Sequence, residues 1–170
     1  GSPQYLEGAT RTHRARIREG RGDIGGALAD WRRALAVARD AGDPQELLPA
    51  LGGAVAMFAA HGFLEETQSL AQELVELAGR YPDDAVWGLP LEFLFSRPAI
   101  GFEPEIRDAL ADAPPWPWKE LAFACLDRDF VRAADMWAEG GSPTWEARLR
   151  LRAAEDLIES DRRAEGEAQA

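Results

Sequence analysis

Apolar residues recur along this chain at three- and four-residue intervals, the spacing of an α-helix with one buried face. Ile24, Ala27, Leu28, Trp31, Ala34, Leu35 and Ala38 form one such stripe. Leu47, Leu51, Ala54, Val55 and Phe58 form a second, and Leu64, Leu70, Ala71, Leu74, Val75 and Ala78 a third. Gly62 lies between the last two and predicts a hairpin turning at that glycine. Gly52, Ala56 and Ala60 sit four apart and predict a small-residue ridge against which a neighbouring helix packs closely. No segment shows sustained strand alternation, and Ala, Leu, Glu and Arg dominate, so the fold class is all-α.

Punctuation divides the stripes into hairpins. A polar helix over about 8–18 pairs with 24–40, and Ala-Gly-Asp-Pro at 41–44 closes one helix and opens the next. The following hairpin spans 45–79. Residues 81–117 break the pattern with Pro82, Pro90, Pro98, Pro104, Pro114, Pro115 and Pro117, leaving short helices over about 84–95 and 104–111. Regularity resumes over 118–126 and 130–139. A long helix then runs from Pro143 through Ser160, with Ser142 as its N-cap. The whole reads as one domain over 3–170, with hairpins at about 8–40, 45–79, 81–113 (degenerate), 116–140 and 143–170.

The second helices of these hairpins share a phrase. Asp23-Ile24-Gly25-Gly26-Ala27-Leu28-Ala29-Asp30-Trp31 reappears as Asp129-Phe130-Val131-Arg132-Ala133-Ala134-Asp135-Met136-Trp137. A weaker copy follows Gly62, and an unfinished one follows Asp161. With Ala27, Thr67, Ala133 and Gly166 as equivalent small positions, the spacings are 40, 66 and 33 residues. The second is twice the third, leaving room for one degenerate unit. The alignment predicts that Ala27→Arg or Ala133→Arg unfolds its hairpin, because a charge would be forced into the helix seam.

These residues resemble tetratricopeptide (TPR) repeats, whose unit is about 34 residues. Ala27, Trp31 and Ala34 match the small, aromatic and small positions of that family's second helix, Pro44 falls near its closing proline, and Ala133 and Trp137 match again. Arg11 and Arg18 depart from it, standing where the first helix usually carries aromatics. The resemblance implies a right-handed superhelix of antiparallel hairpins with an irregular, Pro- and aromatic-rich middle. Residues 124–168 further resemble the C-terminal TPR-like region of bacterial STAND-type signalling ATPases and nucleotidyl cyclase-associated regulators. The residues carrying this are Cys125-Leu126-Asp127-Arg128-Asp129-Phe130 through Trp137, then Gly140-Gly141-Ser142-Pro143-Thr144-Trp145 onward. None of the ATPase or cyclase motifs of such proteins occurs here, so neither activity carries over.

Composition narrows the function classes. The 170 residues are 46% hydrophobic and 29% charged, with a formal net charge of −11. That balance suits a folded cytoplasmic protein and opposes nucleic-acid binding, which needs a net positive surface. The single cysteine, Cys125, allows no internal disulfide and reads as a small core residue. Gly1-Ser2 has the form of a cleavage scar, giving the expectation of a piece from a longer protein. The uncharged run 47–64 is only 18 residues long and carries Pro49, Gly52, Gly53 and Gly62, so a buried hairpin helix is the reading rather than a membrane span.

Candidate chemistry is sparse. Gly20-Arg21-Gly22-Asp23-Ile24-Gly25 matches G-x-G-x-x-G, but the dinucleotide site needs a buried strand before it, and Arg-rich 11–19 is none; the motif reads as a hairpin turn. His13 and His61 lie in different hairpins without metal-ligand spacing. The adjacent carboxylates point apart on helices. The reading therefore assigns no catalytic, cofactor-binding or metal residues and no cofactor. Two features remain open between packing and recognition. One is the positive island Arg11, Arg14, Arg16, Arg18 and Arg21; the other is Trp87, Trp116, Trp118 and Trp145 around the irregular middle. The sequence predicts a non-enzymatic protein–protein interaction and regulatory scaffold, with Arg11, Arg14, Arg18, Trp87, Trp116, Trp118 and Trp145 as contacts for a protein, a peptide or other domains of its parent. The alternative is a small-ligand sensor with an aromatic pocket in the middle segment.

Overall fold

The computed structural model describes residues 3–81, 101–111 and 118–169. Among them there is no strand, and the helices are α1 (Pro3–Gly20), α2 (Ile24–Ala41), α3 (Pro44–Ala60), α4 (Leu64–Arg80), α5 (Glu103–Ala111), α6 (Lys119–Leu126), α7 (Phe130–Glu139), α8 (Pro143–Glu159) and α9 (Arg163–Glu167). The expected helix at 84–95 lies outside the described residues. The chain forms two compact units, Gly1–Pro114 and Pro115–Ala170.

One turn recurs with the same hydrogen bonds. Between α1 and α2, Gly22 adopts φ 79° and donates to the Glu19 carbonyl, while Asp23 donates to the Arg18 carbonyl five residues back. This pair of bonds satisfies the helix's last carbonyls, and the left-handed backbone it requires favours glycine. The same two bonds close α3 at Gly62 and Phe63, α6 at Arg128 and Asp129, α7 at Gly141 and Ser142, and α8 at Asp161 and Arg162. At the α3 turn the accompanying apolar contact is an edge-on pair, Phe58 and Phe63, at 5.9 Å.

Five residues beyond the left-handed residues at 22, 62, 128 and 161 stand Ala27, Thr67, Ala133 and Gly166, and all four are buried. Nine residues beyond the first three stand Trp31, Ala71 and Trp137, also buried. The repeat read from sequence is thus a repeat of turn and seam. The G-x-G-x-x-G stretch is the α1–α2 turn, preceded by a helix.

In unit 1, α1 packs on α2 and α3 on α4, while α3 also meets α1 and α2, and α5 covers part of α4. Asp23, Asp43 and, in unit 2, Asp129 cap their helices by accepting from backbone N–H groups. Gly42 closes α2 at φ 68°, and Pro44 opens α3. In unit 2, α7 packs against α6 and α8, and α9 against α8.

Four sequence expectations change. α1 begins at Pro3 rather than near residue 8, since proline suits a first turn whose N–H groups have no partner. Ser142 holds the N-cap position of α8 but its side chain makes no capping bond. Leu64 is 57% exposed, because the helix starts there before its stripe turns inward. The close approach to α3 is made at Gly53, not along Gly52, Ala56 and Ala60, of which Ala56 is half-buried and Ala60 exposed. The tip of the Trp31 indole sits so near Gly53 that a Cβ there would lie 2.3 Å from it.

Candidate functional site

Arg11, Arg14 and Arg18 fall at three- and four-residue spacing, which puts them on one face of α1. That face meets α2, where Asp30 is only 2% exposed. The Asp30 carboxylate accepts from Arg14 Nε at 2.7 Å and from Arg14 Nη2, from Arg18 Nη1 at 2.9 Å and from Arg11 Nη1 at 3.3 Å. Arg18 also donates to the Gly26 carbonyl and pairs with Asp23, and Arg11 with Glu7. The hydrogen bonds from Arg14, with the charges of Arg18 and Arg11, hold the Asp30 carboxyl below its usual range against the opposing effect of burial. Three of the five arginines of the positive island therefore surround a buried anion of their own chain. Asp30 itself went unread, although it sits three after Ala27 and four before Ala34, on the stripe that faces α1.

Beside this network lies a groove. Gly8, Ala9, Thr12, His13 and Arg16 of α1 form one wall, and Gln45, Glu46, Pro49 and Ala50 of α3 the other. Ala34 and Ala38 of α2 form the floor, and the groove's volume is about 220 Å³. The floor is apolar and built of small side chains. The rim carries one cation, one carboxylate and hydrogen-bonding groups, a pattern suited to orienting an extended or helical segment. His61 Nε2 lies 3.1 Å from Glu19 Oε1 and ties the end of α1 to the α3–α4 turn. On the surface, Arg32 pairs with Glu66 and Arg39 with Glu73, both across 34 residues, linking α2 to α4.

The tryptophans divide. Trp87 and Trp116 lie outside the described residues. Trp118 and Trp145 flank Trp137, with ring centroids 4.2 Å and 6.0 Å from it, and Arg148 lies 5.1 Å over the Trp145 ring. Trp118 and Trp145 thus both stack on Trp137, and the three rings form one aromatic cluster. Nearby in unit 2, Arg128 and Arg152 both stand over Phe130, at 5.6 and 5.5 Å, and both pair with Asp156. Arg152 is only 5% exposed. This cluster borders an open depression of about 580 Å³ between α7, α8 and α9.

No protein-family model matches the chain, and no curated protein or solved structure matches it either.

Cys125 is 2% exposed, and burial pushes its thiol up to about 12, the opposite of what a nucleophile needs. No group of three metal-ligating side chains occurs among the described residues. No described helix is long and apolar enough to cross a membrane.

Proposed function

We propose that this chain is a non-enzymatic, TPR-like interaction scaffold that takes a protein or peptide segment in the α1–α3 groove. The supporting observation is the groove itself. It is built from the first helices of two consecutive hairpins, the surface that stacked hairpins generate and repeat proteins use for binding. The same-register turns support a superhelical stack of this kind. The internal engagement of Arg11, Arg14 and Arg18 moves the expected contacts from those arginines to the groove rim, above all His13, Arg16 and Glu46. The resemblance of 124–168 to the C-terminal region of bacterial STAND-type proteins supports a regulatory role in a cytoplasmic signalling parent.

The test is capture on the immobilised chain with two variants. Gln45→Trp places an indole at the exposed groove mouth without touching the core. Trp145→Ala alters the aromatic cluster in the other unit. A stoichiometric partner lost with Gln45→Trp and kept with Trp145→Ala supports the groove. A partner kept by Gln45→Trp and lost with Trp145→Ala refutes it and moves the site to the aromatic cluster.

A further inference from the structure

The two units place different residues at matching positions. Thr12 stands ten residues before the left-handed Gly22 that turns α1 into α2, and Trp118 ten residues before the left-handed Arg128 that turns α6 into α7. Glu46 is the third residue of α3 and Trp145 the third of α8; both helices open on proline and run 17 residues. Ala38 stands four residues before the left-handed Gly42 that ends α2, and Trp137 four before the left-handed Gly141 that follows α7. In unit 2 these positions therefore hold three tryptophans, stacked at 4.2 and 6.0 Å. In unit 1 they hold threonine, glutamate and alanine, and all three line the groove.

Helix length accounts for the difference. α2 has 18 residues and α7 only 10. Counted from the start of its helix, Trp137 matches Trp31; counted from the end, it matches Ala38. In α2 those two positions lie about two turns apart. Trp31 is thus spent against Gly53 of α3, and the position nearer the helix end falls to alanine. Where unit 2 packs its own indoles, unit 1 has a groove of about 220 Å³. At roughly 30 Å³ per water, that is the share of about seven waters, enough for one indole.

The lining suits a ring. Ala34 and Ala38 are buried and present only methyl groups as a floor. Pro49 occupies the position of Arg148, whose guanidinium lies 5.1 Å over the Trp145 ring in unit 2. In unit 1 the cation comes from the opposite wall, where Arg16 lines the groove and lies over Trp31 at 5.8 Å.

We propose that the groove is a socket for a tryptophan-sized aromatic side chain, the anchor by which the partner segment is held. This rests on the groove being the binding surface and adds what enters it. The ring lies over Ala34 and Ala38, with Pro49 on one wall and Arg16 on the other. An aliphatic side chain would bury less area and give the Arg16 guanidinium no ring face.

The test is amide NMR of the full chain titrated with N-acetyl-tryptophanamide, with N-acetyl-leucinamide for comparison. The aromatic probe should move the amides of Thr12, Ala34 and Ala38 saturably. It should bind about 2–10-fold more tightly than the leucine probe, the margin a ring contact adds to plain burial. Thr12→Trp and Glu46→Trp, which give unit 1 the rings of unit 2, should each abolish these shifts with helix content unchanged. Trp145→Ala should leave them intact. Absent groove shifts or equal binding of the two probes overturns the proposal, as do shifts that survive both tryptophan variants. A protein captured by the chain and lost with Gln45→Trp, but not displaced by excess N-acetyl-tryptophanamide, overturns the aromatic anchor and leaves the groove standing. Aromatic-specific shifts in a chain that captures no protein support the socket and count against the scaffold.

Discussion

Gly53→Ala adds one methyl group, and the structure says it should harm a helix that glycine ought to weaken. In a helix interior, alanine is favoured over glycine by about 1 kcal/mol. At this position the new Cβ would stand 2.3 Å from Cη2 of Trp31 and 3.1 Å from Cζ2 and Cζ3. Ordinary contact begins near 3.4 Å, so the ring must retreat by about 1 Å. It cannot swing aside, because Trp31 is 1% exposed and Arg16 lies over its face at 5.8 Å. Retreat therefore means shifting α2 away from α3. Overpacking of this kind costs about 1–3 kcal/mol, and a rigid ring met end-on belongs at the upper end. Set against the propensity gain, the net loss is about 2 kcal/mol.

Trp31→Phe is the companion. It removes the distal half of the indole, and with it a buried Nε1–H that has no hydrogen-bond partner. In that background the added methyl enters vacated space, and Gly53→Ala should become neutral or stabilising by up to about 1 kcal/mol. The double-mutant cycle then yields a coupling of about 2–3 kcal/mol. Urea titration by far-UV circular dichroism measures it, with hydrogen exchange in α2 and α3 locating the effect in unit 1. An equal cost of Gly53→Ala in both backgrounds would refute the reasoning, as would a stabilised single variant.

Asp30→Asn should lower stability by about 2 kcal/mol at neutral pH, less than for a fully buried pair because its arginines stay partly solvated. The folded carboxyl is held below its unfolded value, so its contribution is complete above about pH 4 and is lost as pH falls through the folded pKa. The gap between wild type and Asp30→Asn should be flat near neutrality and close below about pH 4 in acid titrations; a gap that widens there would contradict the network. Asp161 holds φ 61° at an exposed turn, and Asp161→Gly should raise stability by about 0.5–1 kcal/mol, the relief of the left-handed strain less glycine's added chain entropy. A lowered melting temperature would count against the shared turn geometry. Cys125 should ignore a thiol reagent at pH 8 in the folded chain and react only on unfolding; rapid native labelling would mean the seam between α6 and α7 opens.

Local periodicity carried a large part of this fold. The α2 and α3 stripes, the turns at Gly22 and Gly62, the start of α7 at Phe130 and the common seam at Ala27, Thr67, Ala133 and Gly166 follow from which residues tolerate a left-handed turn and which faces are apolar. Such rules act within a few residues, so they survive without knowledge of the rest of the chain. Which small residue of α3 is approached depends on a neighbouring helix, and there the stripe misled.

The same division governs the sites. The sequence by itself determined that the chain is helical, acidic, repeat-built and poor in catalytic motifs. It showed three arginines on one face, and it showed Asp30 on an apolar stripe, but not that they meet. Only the tertiary structure decided that, by laying α1 along α2 and turning an apparent docking patch into a satisfied internal network. It likewise gathered Trp118 and Trp145 around Trp137 and opened the groove between α1 and α3. The physical reason is the same in each case: a side chain's charge and size are local properties, whereas its partner is set by how helices distant in sequence pack.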